Sequence, residues 1–149
     1  MEIIEITASD GAIVRPDWLA RAEGTHRQLR TALPADYRAK MQRVFAGGGR
    51  MMVAAEGDAV CGLAVWRVHE NTHIGMHLYV DDLVTDEARR SAGVGRALMQ
   101  WLERRARDLS CVALVLDSGT QRTRAHRFYF REGMAVVCFN FQKDLPPAN

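Results

Sequence analysis

The chain has 149 residues, the size of a single domain, which excludes a separate substrate domain. Forty-eight per cent of the residues are hydrophobic and 26% charged, enough to bury a core, so a disordered tail and a disulfide-stapled miniprotein are excluded as well. Twenty basic against 18 acidic residues leave a formal charge of +2, too small to point to nucleic acid or a membrane surface.

Ile3 to Thr7 alternate as a short first strand, followed by a turn at Ala8-Ser9-Asp10-Gly11. Two helices are expected next, from about Asp17 to Arg30 and from Pro34 to Phe45. Trp18, Leu19 and Ala22, then Tyr37, Met41, Val44 and Phe45, recur at helical spacing, with Pro34 as a first-turn residue. Gly47-Gly48-Gly49 stops the second helix; no Lys-Ser/Thr follows, so it reads as a loop rather than a phosphate cradle. Met51 to Glu56 and Ala59 to Val68, split by Gly57-Asp58, form a hairpin, and His77 to Thr85 is the next strand.

Gly93 to Arg107 carries the clearest helical signal, with Val94, Ala97, Leu98, Trp101 and Leu102 on one face. Val112 to Leu116 is a continuous aliphatic run, expected as a central strand covered on both faces. Thr123 to Glu132 is a short helix stopped by Gly133, and Met134 to Phe141 closes the domain as a strand before Pro146-Pro147. The order β, α, α, β, β, β, α, β, α, β is that of an α/β domain, a mixed central β-sheet flanked by helices.

Charge is unevenly spread. Between Arg89 and Arg131 ten arginines meet only Glu103, Asp108 and Asp117, a local +7 that leaves −5 for the remainder. This segment opens with Thr85-Asp86-Glu87-Ala88-Arg89-Arg90-Ser91-Ala92-Gly93-Val94-Gly95-Arg96, where a strand turns into the amphipathic helix. Unpaired N–H groups at a helix start, with the positive end of the helix dipole behind them, form an anion site. Gly93 and Gly95 allow close backbone approach, and Arg89, Arg90 and Arg96 add charge.

Three phosphate-loop patterns compete here. A dinucleotide fingerprint needs a third glycine where Leu98 stands, and a P-loop needs a Gly-Lys-Ser/Thr that is missing. Arg/Gln-x-x-Gly-x-Gly/Ala matches at Arg90, Gly93 and Gly95. That match resembles the GNAT superfamily of N-acetyltransferases. A second signature lies downstream: the strand Leu114-Val115-Leu116-Asp117-Ser118, then Ala125-His126-Arg127-Phe128-Tyr129-Phe130-Arg131-Glu132-Gly133-Met134. The similarity extends from Ile3 to Phe141 and departs where many members carry Asn and this chain has Arg122.

The resemblance implies one GNAT domain over 1–149, with acceptor-side helices in 1–50, including Trp18, His26 and Tyr37, and an acetyl-CoA-binding core in 77–141. It implies acetyl-CoA as cosubstrate, with the backbone of Leu83, Val84 and Thr85 along the pantetheine. The pyrophosphate would fall to Arg89, Arg90, Ser91, Ala92, Gly93, Val94, Gly95 and Arg96, and Arg122 and His126 would also contact the cofactor. Tyr129 matches the tyrosine that protonates the departing thiolate, and Asp81 or Asp82 would activate the amine. Strand alternation sends those two carboxylates to opposite faces.

The implied function is acetyl transfer from acetyl-CoA to a primary amine, of a small molecule, by direct attack in a ternary complex. A non-catalytic acyl-CoA sensor and an acetyltransferase for protein N-termini or lysines are the alternatives. No nucleic-acid partner is expected, since coenzyme A phosphates already account for the arginines. A homodimer is compatible with the resemblance, although no residue demonstrates one. Cys61, Cys111 and Cys138 lack disulfide or zinc spacing. His69, His73 and His77 span a strand, turn and strand, so their spacing by four does not gather them for metal. No basic-then-apolar leader and no apolar run near the roughly 18 residues of a span are present, so a cytoplasmic protein without a membrane partner is expected.

Overall fold

The computed structural model describes residues 1–147. In chain order it has β1 (Glu2–Glu5), α1 (Pro16–Leu29), α2 (Tyr37–Ala46), β2 (Arg50–Glu56), β3 (Ala59–Asn71), β4 (Gly75–Thr85), a 3-10 turn (Glu87–Arg89), α3 (Val94–Asp108), β5 (Ala113–Leu116) and α4 (Thr123–Arg131). Two compact units divide it, Met1–Leu116 and a second that begins at Asp117. Among the described residues no helix is long and apolar enough to cross a membrane.

The first unit holds a mixed five-stranded sheet in the order β1-β2-β3-β4-β5. The first four strands pair antiparallel, and β5 lies parallel to β4. One face is covered by α1 and α2, whose Leu19, Ala22, Tyr37, Met41 and Phe45 pack on Met51, Val53, Leu63 and Val65. Strand alternation turns Gly62 to the opposite face. A Cβ there would stand 2.7 Å from Val94 Cγ1 and 2.8 Å from the Val84 carbonyl oxygen, so glycine is what lets α3 seat closely. Val94, Leu98, Met99, Leu102 and Ala106 form the buried stripe of α3, the period read from the sequence.

Three expectations need correction. The second helix starts at Tyr37 rather than Pro34, because the Asp36 carboxylate accepts the Ala39 N–H at 2.9 Å and sets the cap there. Pro34 stays outside, its carbonyl accepting from Arg27. The run Val112–Leu116 is not a central strand: β5 is the last strand of the described sheet, its residues half-buried and Val112 73% exposed.

Residues 134–141 form no strand. The second unit consists of α4 and an extended tail, and none of its described residues is fully buried. After the Met134 N–H, which donates to the Tyr129 carbonyl, the tail has no backbone pairing among the described residues. Apolar alternation favours a strand, but a strand needs a paired edge, and the second unit by itself offers none.

Candidate functional site

The site begins with an interruption in β4. Val65 lies opposite Asp82 and Trp66 opposite Val80, so Asp81 is an extra residue, the bulge of the β3–β4 pair. On the other edge, β5 pairs with β4 only from His77 to Val80. Beyond the Asp81 bulge, Asp82, Leu83, Val84 and Thr85 stay paired to β3 while no strand adjoins their second edge among the described residues. A bulge followed by an open edge is a place where an extended ligand can add as a strand.

The bulge also overturns the expected placement of the two carboxylates. Both meet cations on the side of α1 and α2. Asp81 Oδ2 accepts from Arg67 Nε at 2.8 Å and Nη2 at 2.7 Å, while Arg67 Nη1 reaches the Gly47 carbonyl at the end of α2. Asp82 Oδ1 accepts from Arg30 Nε at 2.5 Å, and Arg30 Nη2 donates to the Asp81 carbonyl at 3.0 Å. Asp82 Oδ2 lies 2.9 Å from His26 Nε2, and His26 Nδ1 lies 2.9 Å from the Tyr37 hydroxyl.

Electrostatics fixes the state of this chain. Burial alone would raise the Asp82 carboxyl, but the His26 hydrogen bond, the His26 charge and Arg30 outweigh it and hold the carboxyl below its ordinary range. Asp82 is therefore ionised at neutral pH. Burial, with Glu23 and Asp82 adding to it and Arg27 opposing, raises the Tyr37 phenol well above its ordinary value. With Asp82 ionised, His26 Nε2–H donates to its Oδ2, and the Tyr37 hydroxyl lies against the other ring nitrogen. His26 and Tyr37, 1% and 3% exposed, brace α1 and α2 against β4 rather than present a surface to solvent. Trp18, by contrast, is half-buried beneath the Arg21 guanidinium.

The loop after β4 is pinned to α1. Asp86 Oδ2 accepts from Thr25 at 3.3 Å and from Gln28 Nε2 at 2.8 Å, while Gln28 Oε1 accepts the Glu87 N–H at 2.9 Å. Arg89 pairs with Glu56 at 3.2 Å, and Arg90, Ser91 and Ala92 are exposed. Ser91 (φ 66°) and Gly93 (φ 80°) both take left-handed backbone, which a serine adopts at a cost and which curls amides toward one point. The first helical bond of α3 is Ala97 N–H to the Gly93 carbonyl at 3.0 Å, and no side chain caps the helix. Val94 and Gly95 N–H thus lack a carbonyl one turn back.

In the second unit, Tyr129 is half-buried on α4; burial raises its phenol, and the Arg122 charge opposes that rise. Arg122 stands at the start of α4 and is exposed, and the His126 ring Nε2 lies 3.0 Å from the Gly119 carbonyl oxygen. His69 and His77 face each other across β3 and β4 with ring centroids 4.2 Å apart, and His73 lies in the turn between them. Sequence reading had no signal for Arg30, Arg67, Thr25 and Gln28, because their partners lie tens of residues away.

Solved acetyltransferases share this fold. The aminoglycoside N-acetyltransferase AAC(6')-Iy, in complex with CoA, superposes with a TM-score of 0.80 at 15% identity, covering 96% of this chain and 93% of its own. Ribosomal-protein-alanine N-acetyltransferase from Brucella melitensis biovar Abortus 2308 gives a TM-score of 0.77 at 14% identity, covering 97% and 99%. The acetyltransferase (GNAT) family model matches residues 16–134, and the chain belongs to that family.

Among curated proteins, the uncharacterized N-acetyltransferase YhdJ of Bacillus subtilis (strain 168) is 40% identical over 86 residues, 57% of this chain and 58% of that protein. An aminoalkylphosphonate N-acetyltransferase of Salmonella typhimurium is 32% identical over 80 residues, 49% of this chain and 52% of that protein. The chain thus spans little more than half the length of the curated relatives it matches.

Proposed function

We propose that the protein transfers an acetyl group from acetyl-CoA to the primary amine of a small molecule by direct attack in a ternary complex. The observation that carries this is the continuity of the open β4 edge at 81–85 with the uncapped start of α3. An extended pantetheine fits such an edge as an added strand, and a pyrophosphate fits the amides of Val94 and Gly95. Arg90 and Arg96 supply positive charge beside them. The family supports the donor, and the aminoalkylphosphonate and aminoglycoside acetyltransferases among its similar proteins support a small-molecule acceptor.

Within this proposal a backbone N–H of Leu83 to Thr85 steadies the thioester oxygen as negative charge develops there. The amine nitrogen attacks the acetyl carbon, the C–S bond breaks, and Tyr129 gives its proton to the departing sulfur. A phenol raised by burial holds that proton at neutral pH until the thiolate forms. The amine proton passes to an Asp81 or Asp82 carboxylate through water. Arg122 and His126 serve the cofactor side. Net negative charge outside the basic segment favours a cationic acceptor.

Thiol release from acetyl-CoA over a panel of small amines tests the proposal. Acceptor-dependent release that saturates with one class of amine is the expected result. Binding of acetyl-CoA without release for any small amine or peptide would replace it with the sensor reading, and release with peptides alone would move the acceptor to proteins.

A further inference from the structure

The stretch between β4 and α3 is unevenly held. Its start is tied down: the Asp86 N–H donates to the Cys61 carbonyl at 2.9 Å, Asp86 Oδ1 accepts the Ala88 N–H at 3.0 Å, and the Arg89 N–H donates to the Asp86 carbonyl at 2.9 Å. Beyond Arg89 the hold weakens. The Ala92 N–H reaches the Arg89 carbonyl only at 3.4 Å, and Ser91 takes left-handed backbone at φ 66°. Strain of that kind persists only where neighbouring contacts fix it.

Such contacts come from the last turns of α1. Residues three apart on a helix share a face, and Thr25 and Gln28 both turn to Asp86, whose Oδ2 accepts from the Thr25 hydroxyl at 3.3 Å and from Gln28 Nε2 at 2.8 Å. Gln28 Oε1 accepts the Glu87 N–H at 2.9 Å. One carboxamide thus spends its hydrogen-bond donor on the Asp86 side chain and its acceptor on the Glu87 backbone. Thr25 is 5% exposed, whereas Gln28 is exposed and water can replace both of its bonds, so its removal orphans no buried polar group. From the same helix His26 and Arg30 hold Asp82. Residues 25–30 therefore locate both the carboxylate beside the bulge and the start of the turn into α3.

We propose that Gln28 is a positioning residue for acetyl-CoA: through Asp86 and Glu87 it fixes the turn that leads to the Val94 and Gly95 amides, so that the pyrophosphate meets a preformed cradle. This role rests on the reading of acetyl-CoA as the acetyl donor. Without the carboxamide the turn samples other arrangements, and binding must first restore the one in which the amides are aligned. Loss of two exposed hydrogen bonds, one of them to a carboxylate, shifts such an equilibrium by a factor of about ten. Apparent affinity falls by the fraction of chains in which the turn is competent, also about tenfold. Stability of the fold does not fall with it, because water meets the same groups when the carboxamide is gone.

Calorimetric titration of the full chain with acetyl-CoA, beside urea unfolding of the same proteins, tests this. Gln28→Met keeps the length of the side chain and removes both hydrogen bonds; it should weaken binding about tenfold while the urea midpoint moves by less than about 0.5 M. Gln28→Glu should weaken binding as well, because a second carboxylate then meets Asp86. Adding Asp86→Asn offers that carboxylate an amide donor and should recover binding toward the wild-type value, a coupling that a residue serving only the stability of α1 would not show. Wild-type affinity in Gln28→Met would overturn the proposal and leave acetyl-CoA as the donor. A loss of affinity that tracks a fall in the urea midpoint, or no recovery in the paired variant, would overturn it too. Failure of the wild-type chain to bind acetyl-CoA would remove the donor itself, and the role of Gln28 with it.

Discussion

Asp82→Asn removes one charge and keeps the shape of the side chain at the junction of α1 and β4. The side chain is 13% exposed and its oxygens accept from His26 and Arg30. An asparagine can still accept from His26 Nε2, but its NH₂ group then meets the Arg30 guanidinium, so one charge-assisted hydrogen bond is lost and the other weakened. Such bonds contribute about 1.5–3 kcal/mol each. Arg30 is 51% exposed and regains water, so the expected net loss is about 2–3 kcal/mol rather than the sum. In urea, with a slope of about 1–3 kcal/mol per molar, the midpoint should fall by roughly 1–2 M at pH 7.

The sign with pH follows from the depressed carboxyl. A lowered folded value means that the stabilisation is present above the unfolded value, near 3.9, and is lost as pH falls through the folded value. The gap between wild type and Asp82→Asn should therefore be full at pH 7 and close progressively below pH 4. Urea titrations at pH 7, 5, 4 and 3 measure it. A gap of under about 0.5 kcal/mol at pH 7, or one that is constant down to pH 3, would refute the ionised Asp82–His26–Tyr37 chain.

Tyr129→Phe should cut turnover by about 10²-fold or more, the scale of a lost general acid, with acetyl-CoA affinity nearly unchanged; steady-state thiol release and calorimetry separate the two. Gly93→Val forces a β-branched residue into left-handed backbone at φ 80°, a cost of about 1–2 kcal/mol, and should weaken acetyl-CoA binding about tenfold by displacing the α3 amides. Leu98→Ala, at a position with no exposure, should destabilise by about 2–5 kcal/mol in thermal or urea unfolding without altering the pH dependence of the remaining activity.

Signals that were local in sequence carried through to the structure. The stripe of α3 is written in residues three and four apart, and Gly93 with Gly95 marks its start within one turn, so both needed no knowledge of distant chain. The β4 bulge could not be read this way: Asp81 looks like any strand residue until β3 is laid against it. For the same reason the alternation rule misplaced Asp81 and Asp82. The His26–Asp82 contact joins residues 56 apart, and a histidine on an amphipathic helix gives no hint of it. Pro34 was misleading because a nearby cap at Asp36 proved stronger. Residues 134–141 have the alternation of a strand, but pairing belongs to whatever edge meets them, and sequence pattern records only the demand.

Calorimetric titration with acetyl-CoA, with NAD and ATP as controls, tests the central claim most directly. Saturable binding of one acetyl-CoA per chain and of none of the controls is the expected result, with Gly93→Val weakening it. No saturable heat with acetyl-CoA would make the turn between β4 and α3 a structural feature only, and the proposed acetyl transfer would fall with it.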